Sequence, residues 1–238
     1  MPAPTIDLNA DLGEGAGQDA ALIPLVSSIN LCCGLHAGSL DTLQAVLDLA
    51  RAERTHRPLA VGAHPGLPDR HAMGRAQLNL PVEVLEQITR YQVAVLGRLA
   101  QSTGIPLTHL KPHGALYHLA CSTPEVAEKI AAIAADFKLA VMGLPNSALA
   151  LACAGKVPFL PEGFAERGYL PDGQLIPRGQ PGAIIHNPAE GATQAIRLAR
   201  AGLRTLCIHG DSPQAATIAT TVRQALENSG FIIAPCDF

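Results

Sequence analysis

The sequence predicts an α/β fold on a parallel sheet, and three observations lead there. Short apolar, β-branched segments recur along the 238 residues, most followed by a longer stretch of helical periodicity. Strands that alternate with helices pair in parallel through right-handed crossovers. Eight such segments favour a sheet closed into a barrel over an open, doubly wound one, and the length suits one domain over 1–238.

In chain order the candidate strands are "TIDLNAD", "INLCCGLHAG", "LAVGAHPG", "LTHLKPHG", "LAVMGLP", "VPFLPEG", "TLCIHGD" and "GFIIAPC". Between them "SLDTLQAVLDLARAER", "PVEVLEQITRYQVAVLGRLAQSTG", "TPEVAEKIAAIAADF" and "SPQAATIATTVRQALENSG" space apolar residues three and four apart. With Ser, Thr or Pro at their starts and Gly ending two of them, these are crossover helices. One segment, "EGFAERGYLPDGQLIPRGQPGAII", is rich in Gly and Pro and matches no crossover helix. It reads as a long excursion near 162–183, a hairpin with "PDG" as its turn.

Composition narrows the function. Hydrophobic residues make up 48% and charged residues 16%, which supports a sizeable core and argues against disorder. A net charge of −3 with scattered Lys and Arg gives no field for nucleic acid or an anionic membrane, so the expected partner is a small molecule or another protein. The cysteines, Cys32, Cys33, Cys121, Cys153, Cys207 and Cys236, lack C-x-x-C spacing, and four sit in apolar runs. Buried thiols in a reducing compartment are expected. The start "MPAPTIDLNAD" has neither the basic nor the apolar region of a leader, and no apolar run approaches the ~20 residues of a membrane span. The expected location is the cytoplasm.

Polar and titratable residues gather at the C-terminal ends of the strands: Asn9, Asp11 and Glu14; His36; His64 and Asp69; Lys111 and His113; Glu162, Glu166 and Arg167; His209 and Asp211. In parallel α/β sheets and barrels that edge binds ligands and carries catalytic groups.

The stretch "HLKPHGALYH" concentrates three histidines and a lysine. His109 and His113 have the spacing of two zinc ligands on a helix, but Pro112 between them lacks an N–H and breaks such a helix. Read as a strand, His109, Lys111 and His113 share one face. Lys111 and His113 are then functional candidates at a pocket mouth. His109, deeper in, reads as a hydrogen-bonded core histidine, and His118, on the helix after Gly114, as a surface one.

"NADLGEGAG" carries a Gly-x-Gly-x-Gly run after a strand, yet Asp11 and Glu14 within it would repel a phosphate. They fit acid/base work or a metal, or else a turn that caps the helix after it. "CGLHAGS" and "GAHPGLPDR" each set a histidine among small residues after a strand. His36 and His64 with Asp11 would make an Asp-His-His set suited to a divalent cation that activates water. A P-loop and a Gly-x-Ser-x-Gly elbow are both missing, which argues against a nucleotide site of the chain's own and against a covalent serine hydrolase.

In order from Ile6 to Asp211, "IDLNADLGEG", "NLCCGLHAG", "GAHPGLPDR", "HLKPHGALYH", "FAERGYLPDGQLIPRGQPGA" and "LCIHGD" resemble the LamB/YcsF family. The resemblance implies a distorted (β/α) barrel of the kind shared with glycoside hydrolases and deacetylases. It also implies ATP-dependent hydrolysis of 5-oxo-L-proline to L-glutamate with two further subunits, B and C. ATP would then be a co-substrate of the complex, which suits the missing P-loop, and a divalent metal stays open. Leu35 stands where Phe is usual, Cys33 is an unusual second cysteine, and His118 stands where Asn is common. These departures leave the other polar positions intact and give no support to a role for His118.

The roles expected on this basis are anion stabilisation by Lys111 and Arg167, with Arg75 and Arg178 toward a substrate carboxylate. Asp11, His36, His64 and His113 are the candidates for acid/base work or metal binding. Asn9, Glu14, Glu162, His209 and Asp211 complete the expected substrate contacts. Two other readings stand beside this one: a metal-dependent deacetylase acting on carbohydrate amides, and a binding subunit without catalysis.

Overall fold

The structure, a computed structural model, describes residues 3–212 and 214–236. Its strands are β1 (Thr5–Leu12), β2 (Ser28–Cys32), β3 (Ala60–His64), β4 (His109–Leu110), β5 (Ala140–Gly143), β6 (Phe159–Phe164), β7 (Thr205–His209) and β8 (Ile232–Ile233). Each overlaps one of the eight apolar segments of the sequence. The first seven pair in parallel, each with the next, and β1 pairs with both β2 and β7, so the sheet closes into a barrel.

β8 is not a stave, which corrects the expectation of eight. It pairs with the start of β1 only, Thr5 opposite Ile232 and Ile6 opposite Ile233. The reason is register: β7 occupies the same edge of β1 from Asp7 to Asp11, where an eighth stave would have to bond.

Alternation along β1 sorts the two faces. Ile6, Leu8, Ala10 and Leu12 belong to the apolar core beneath the helices, while Asp7, Asn9 and Asp11 point into the barrel. The helices are α1 (Asp19–Leu22), α2 (Leu40–Glu53), α3 (Val82–Ser102), α4 (Gly114–Ser122), α5 (Pro124–Asp136), α6 (Ala148–Cys153), α7 (Pro188–Arg200) and α8 (Ala215–Asn228). α2 opens on a capping box, in which the Thr42 N–H donates to Ser39 Oγ at 3.2 Å and the Ser39 N–H donates to Thr42 Oγ1 at 2.7 Å. It buries Leu43, Val46, Leu47 and Ala50, spaced three and four apart, against the sheet. No helix among the described residues is long and apolar enough to cross a membrane.

The Gly/Pro-rich excursion leaves β6 and folds back over the barrel mouth. The Gly173 N–H donates to the Leu170 carbonyl at 3.0 Å, which closes the "PDG" turn, and Tyr169 bridges Leu175 in antiparallel fashion. The Arg167 guanidinium braces it by donating to the carbonyls of Ala183 (3.1 Å) and Ile176 (2.7 Å).

Candidate active site

The barrel is filled by polar side chains in tiers, from bottom to mouth. At the bottom, Asp7 accepts from the hydroxyls of Ser27 (2.7 Å), Ser28 (2.7 Å) and Thr205 (2.5 Å). Burial pushes its carboxyl above the ordinary range despite those donors. In the middle, Asn9 Nδ2 donates to Thr205 Oγ1 (2.7 Å) and Glu162 (3.2 Å), and Asn30 Nδ2 donates to Asn9 (2.7 Å) and Asp11 (2.8 Å). His109 Nε2 meets Asn30 Oδ1 at 2.9 Å, with its ring packed on Gly62, where a Cβ would lie 2.2 Å from it. Burial first, then the charge of Lys111, holds this imidazole down at about 3, so it stays neutral in the core.

Above His109, Lys111 is 2% exposed and its ammonium is fully engaged. It donates to Glu162 Oε1 at 2.8 Å, Asp11 Oδ1 at 2.9 Å, Cys207 Sγ at 3.1 Å and Asn9 Oδ1 at 3.3 Å. Desolvation would lower its pKa, but Asp11, Cys207 and Glu162 outweigh that and raise it well above the ordinary lysine value. No hydrogen remains for an outside anion. The anion-stabilising role expected of Lys111 therefore does not follow from its geometry; it is the buried counter-ion of two carboxylates. Tyr117, on the first turn of α4, donates to the other oxygen of Glu162 at 3.0 Å. Asn9 and Glu162 thus lie beneath the cavity and not in its lining, away from the substrate contacts expected of them.

At the mouth the expected groups converge. β3 ends on His64, and the Lys111 and His113 backbone N–H groups extend the β4 pairing to the carbonyls of Ala63 and Pro65, so both strand ends reach one level. His64 Nδ1 lies 2.8 Å from the Lys111 carbonyl, and His113 Nε2 lies 2.7 Å from the Met73 carbonyl. A carbonyl only accepts, so each of those nitrogens carries its proton. The remaining nitrogens, His64 Nε2 and His113 Nδ1, face each other at 2.9 Å. Asp11 Oδ2 is 3.3 Å from the first and Glu14 Oε1 is 3.2 Å from the second. Burial, then the charges of His64 and His36, lowers the His113 pKa well below the ordinary value, so its Nδ1 offers a lone pair. Burial would raise Asp11; His64 and Lys111 outweigh it and hold this carboxyl well below the usual range.

Four acceptor atoms therefore point at one spot, and only a shared proton or a cation reconciles them. Asp11, His64 and His113 place one ligand atom each within 4.8 Å of one another, as do Glu14, His36 and His113. Two imidazoles with a carboxylate suit a divalent transition-series ion. The set differs from the Asp11, His36 and His64 expected from the sequence. His36 stacks on His113 at 3.9 Å between centroids and its Nε2 contacts Glu14 at 3.1 Å, so it buttresses the cluster from behind. Gly66 and Gly74 leave room for it, since a Cβ at Gly66 would stand 2.4 Å from its Nδ1 and one at Gly74 would stand 2.8 Å from its Cβ.

The cluster floors a cavity of about 500 Å³ whose rim carries Arg75, Arg167, Arg178, His118 and His209. Desolvation and then the neighbouring Arg178 lower the Arg167 pKa, a sign of crowded positive charge. Arg75 donates to Asp211 at 2.5 Å across the mouth, and burial, then the charges of Arg167 and Arg178, lowers the His118 pKa. His118, read from the sequence as a surface histidine, is exposed and stands on the cavity rim. His209 is held by Glu166, which the sequence placed at a strand end without a role.

A closed parallel barrel with its polar cavity at the C-terminal mouth defines the chain as a βα-barrel protein with its candidate site where such barrels bind ligands. The LamB/YcsF family profile matches residues 6–237, and the chain belongs to that family. It is 42% identical to the 5-oxoprolinase A subunit of Methylococcus capsulatus, over 98% of this chain and 96% of that one. It is 40% identical to the second-numbered 5-oxoprolinase A subunit of Bradyrhizobium diazoefficiens, over 97% of each. Among solved structures, the lactam utilization protein of Thermus thermophilus superposes with a TM-score of 0.88 at 39% identity, covering 97% of this chain and 99% of that one. A family 4 carbohydrate esterase from Streptomyces lividans, at 10% identity and a TM-score of 0.55, covers 100% of this chain and 95% of its own, and shares the barrel.

Proposed function

We propose that the chain is the A subunit of a 5-oxoprolinase, which opens 5-oxo-L-proline to L-glutamate with consumption of ATP in a complex with B and C subunits. The observation that carries this reading is the polarity of the cavity: lone pairs of Asp11, His64 and His113 at the floor, arginines at the rim. The names of the full-length relatives support the substrate.

Amide resonance makes the lactam carbonyl a poor electrophile, and phosphorylation of its oxygen removes that resistance, which is the chemical reason for ATP. In the proposed sequence ATP gives its γ-phosphoryl group to that oxygen and leaves as ADP, one water adds to the carbonyl carbon, the ring C–N bond breaks as the nitrogen takes a proton, and a second water cleaves the resulting acyl phosphate to glutamate and inorganic phosphate. At the floor, His64 Nε2 and His113 Nδ1 share one proton position beside Asp11, which lets them take a proton from water and return it. A divalent cation on Asp11, His64 and His113 would supply Lewis-acid polarisation and a more acidic water. At the rim, Arg178 and the unused guanidinium hydrogens of Arg167 hold the carboxylate and the phosphoryl oxygens. Lys111 acts from below by keeping Asp11 ionised and oriented.

Reconstitution with and without this chain, following glutamate release and ATP consumption separately, tests the reading. Coupled release that requires the chain is expected. ATP-independent, chelator-sensitive cleavage of an acetylated carbohydrate amide by the chain alone would replace it.

A further inference from the structure

Asp69, just past the end of β3, does not line the cavity, yet it organises the segment that reaches the floor. Its Oδ1 accepts from the Ala72 N–H at 3.2 Å, its carbonyl from the Gly74 N–H at 2.6 Å, and its Oδ2 from the Ala76 N–H at 3.1 Å. One residue thus holds backbone donors on both sides of Met73. Next to it, the Arg70 guanidinium donates to the carbonyls of Gly34 (2.8 Å) and Gly38 (2.6 Å), which ties the same segment to the loop that carries His36.

Met73 is what those bonds enclose. Its φ of 52° lies in the left-handed region, where a residue with a Cβ is strained and persists only if its surroundings fix it. That turn aims the Met73 carbonyl at His113 Nε2, 2.7 Å away. Gly74 brings the chain close enough: a Cβ there would stand 3.1 Å from His113 Cδ2, and its carbonyl accepts from the Ala115 N–H at 3.0 Å on the first turn of α4. The Met73 carbonyl in turn decides which nitrogen of His113 carries the proton. Without an acceptor at Nε2 the proton would be free to sit on Nδ1, where His64 Nε2 at 2.9 Å and Glu14 Oε1 at 3.2 Å accept it. The lone pair that faces the floor would then be lost.

We propose that Asp69 is a positioning residue for the floor: by holding Ala72, Gly74 and Ala76 it fixes the Met73 carbonyl, which keeps the proton of His113 on Nε2 and its lone pair on Nδ1. The placement of that proton stands on these bonds alone; that turnover depends on it rests on the proposed function. A residue that only capped its loop would contribute stability and leave the ring unchanged.

Long-range proton–nitrogen NMR of the metal-free chain near neutral pH reads the tautomer, with the His113 signals assigned by their loss in His113→Gln. The wild type should carry its proton on Nε2. Asp69→Ala should populate the Nδ1–H form, weaken Zn²⁺ binding about tenfold and lower kcat of the reconstituted complex about tenfold, as for loss of a support behind a ligand. Asp69→Asn keeps an acceptor for Ala72 and loses the one for Ala76, so it should fall between. The wild-type tautomer in folded Asp69→Ala, whatever the change in urea midpoint, overturns the positioning role. If Asp69→Ala does not fold, the tautomer of Asp69→Asn decides in the same way. If the tautomer shifts and glutamate formation by the complex does not slow, the positioning stands and the floor as the place of lactam opening falls. If glutamate formation slows and the tautomer stays, the positioning falls and the function stands.

Discussion

His64 Nε2 and His113 Nδ1 lie 2.9 Å apart, and each ring has its other nitrogen committed to a backbone carbonyl. Neither ring can flip without losing that bond, so two lone pairs are locked face to face beside Asp11 and Glu14. The metal-free chain should therefore take up one equivalent of Zn²⁺, with release of the proton the pair shares. Titration calorimetry in two buffers of different ionisation heat measures both. His64→Ala and His113→Ala should each weaken binding more than His36→Ala does, and the loss for His36→Ala should fall at about 10–100-fold, as for a residue that supports ligands from behind. Equal losses for all three would contradict the assignment.

The buried lysine makes a stability prediction. Lys111→Met leaves Asp11 and Glu162 without their shared counter-ion, and breaking such a pair costs about 3–5 kcal/mol. Adding Glu162→Gln should restore part of the loss. Urea unfolding of the single and double variants reads the difference, and additive losses would show that the two residues are not paired.

Gly62 and His109 should be energetically coupled. A Cβ at Gly62 would stand 2.2 Å from the His109 ring, and overpacking of this kind costs about 1–3 kcal/mol. Gly62→Ala should cost less in a His109→Ala background than in the wild type, a non-additivity that a double-mutant cycle measures.

His109 also sets an acid sensitivity. Its pKa is about 3 in the folded chain and 6.5 as a free side chain, so below pH 6.5 the unfolded state binds a proton that the folded state does not. Stability should fall as pH drops through that window. Between pH 7.5 and pH 5 the stability lead of the wild type over His109→Gln should shrink by about 2 kcal/mol. Parallel pH profiles would place the loss elsewhere.

Much of this was legible in the sequence because strand alternation is a strong signal. Pro112 excluded a helical His109–His113 pair, and the strand reading put His109, Lys111 and His113 on one face with Lys111 and His113 toward a pocket mouth; His109 and Lys111 lie inside the barrel and His113 at its mouth. Sequence could not say which histidine joins His64, because that depends on loop carbonyls such as that of Met73, 40 residues before His113 in the chain. It also hid the engagement of Lys111, whose partners Asn9, Asp11, Glu162 and Cys207 come from three other strands. α7 escaped the reading because it follows the Gly/Pro-rich excursion directly, although Asn187 capping the Ala189 N–H at 2.9 Å and Pro188 in its first turn mark the start.

The Asp11–His64–His113 floor is the proposed place of lactam opening. Single-turnover glutamate release by the reconstituted complex carrying His113→Gln tests it most directly, with ATP consumption followed separately and folding checked by urea unfolding. Release at least about 100-fold slower than wild type from a folded chain is the predicted result; release within about twofold of wild type would contradict the claim.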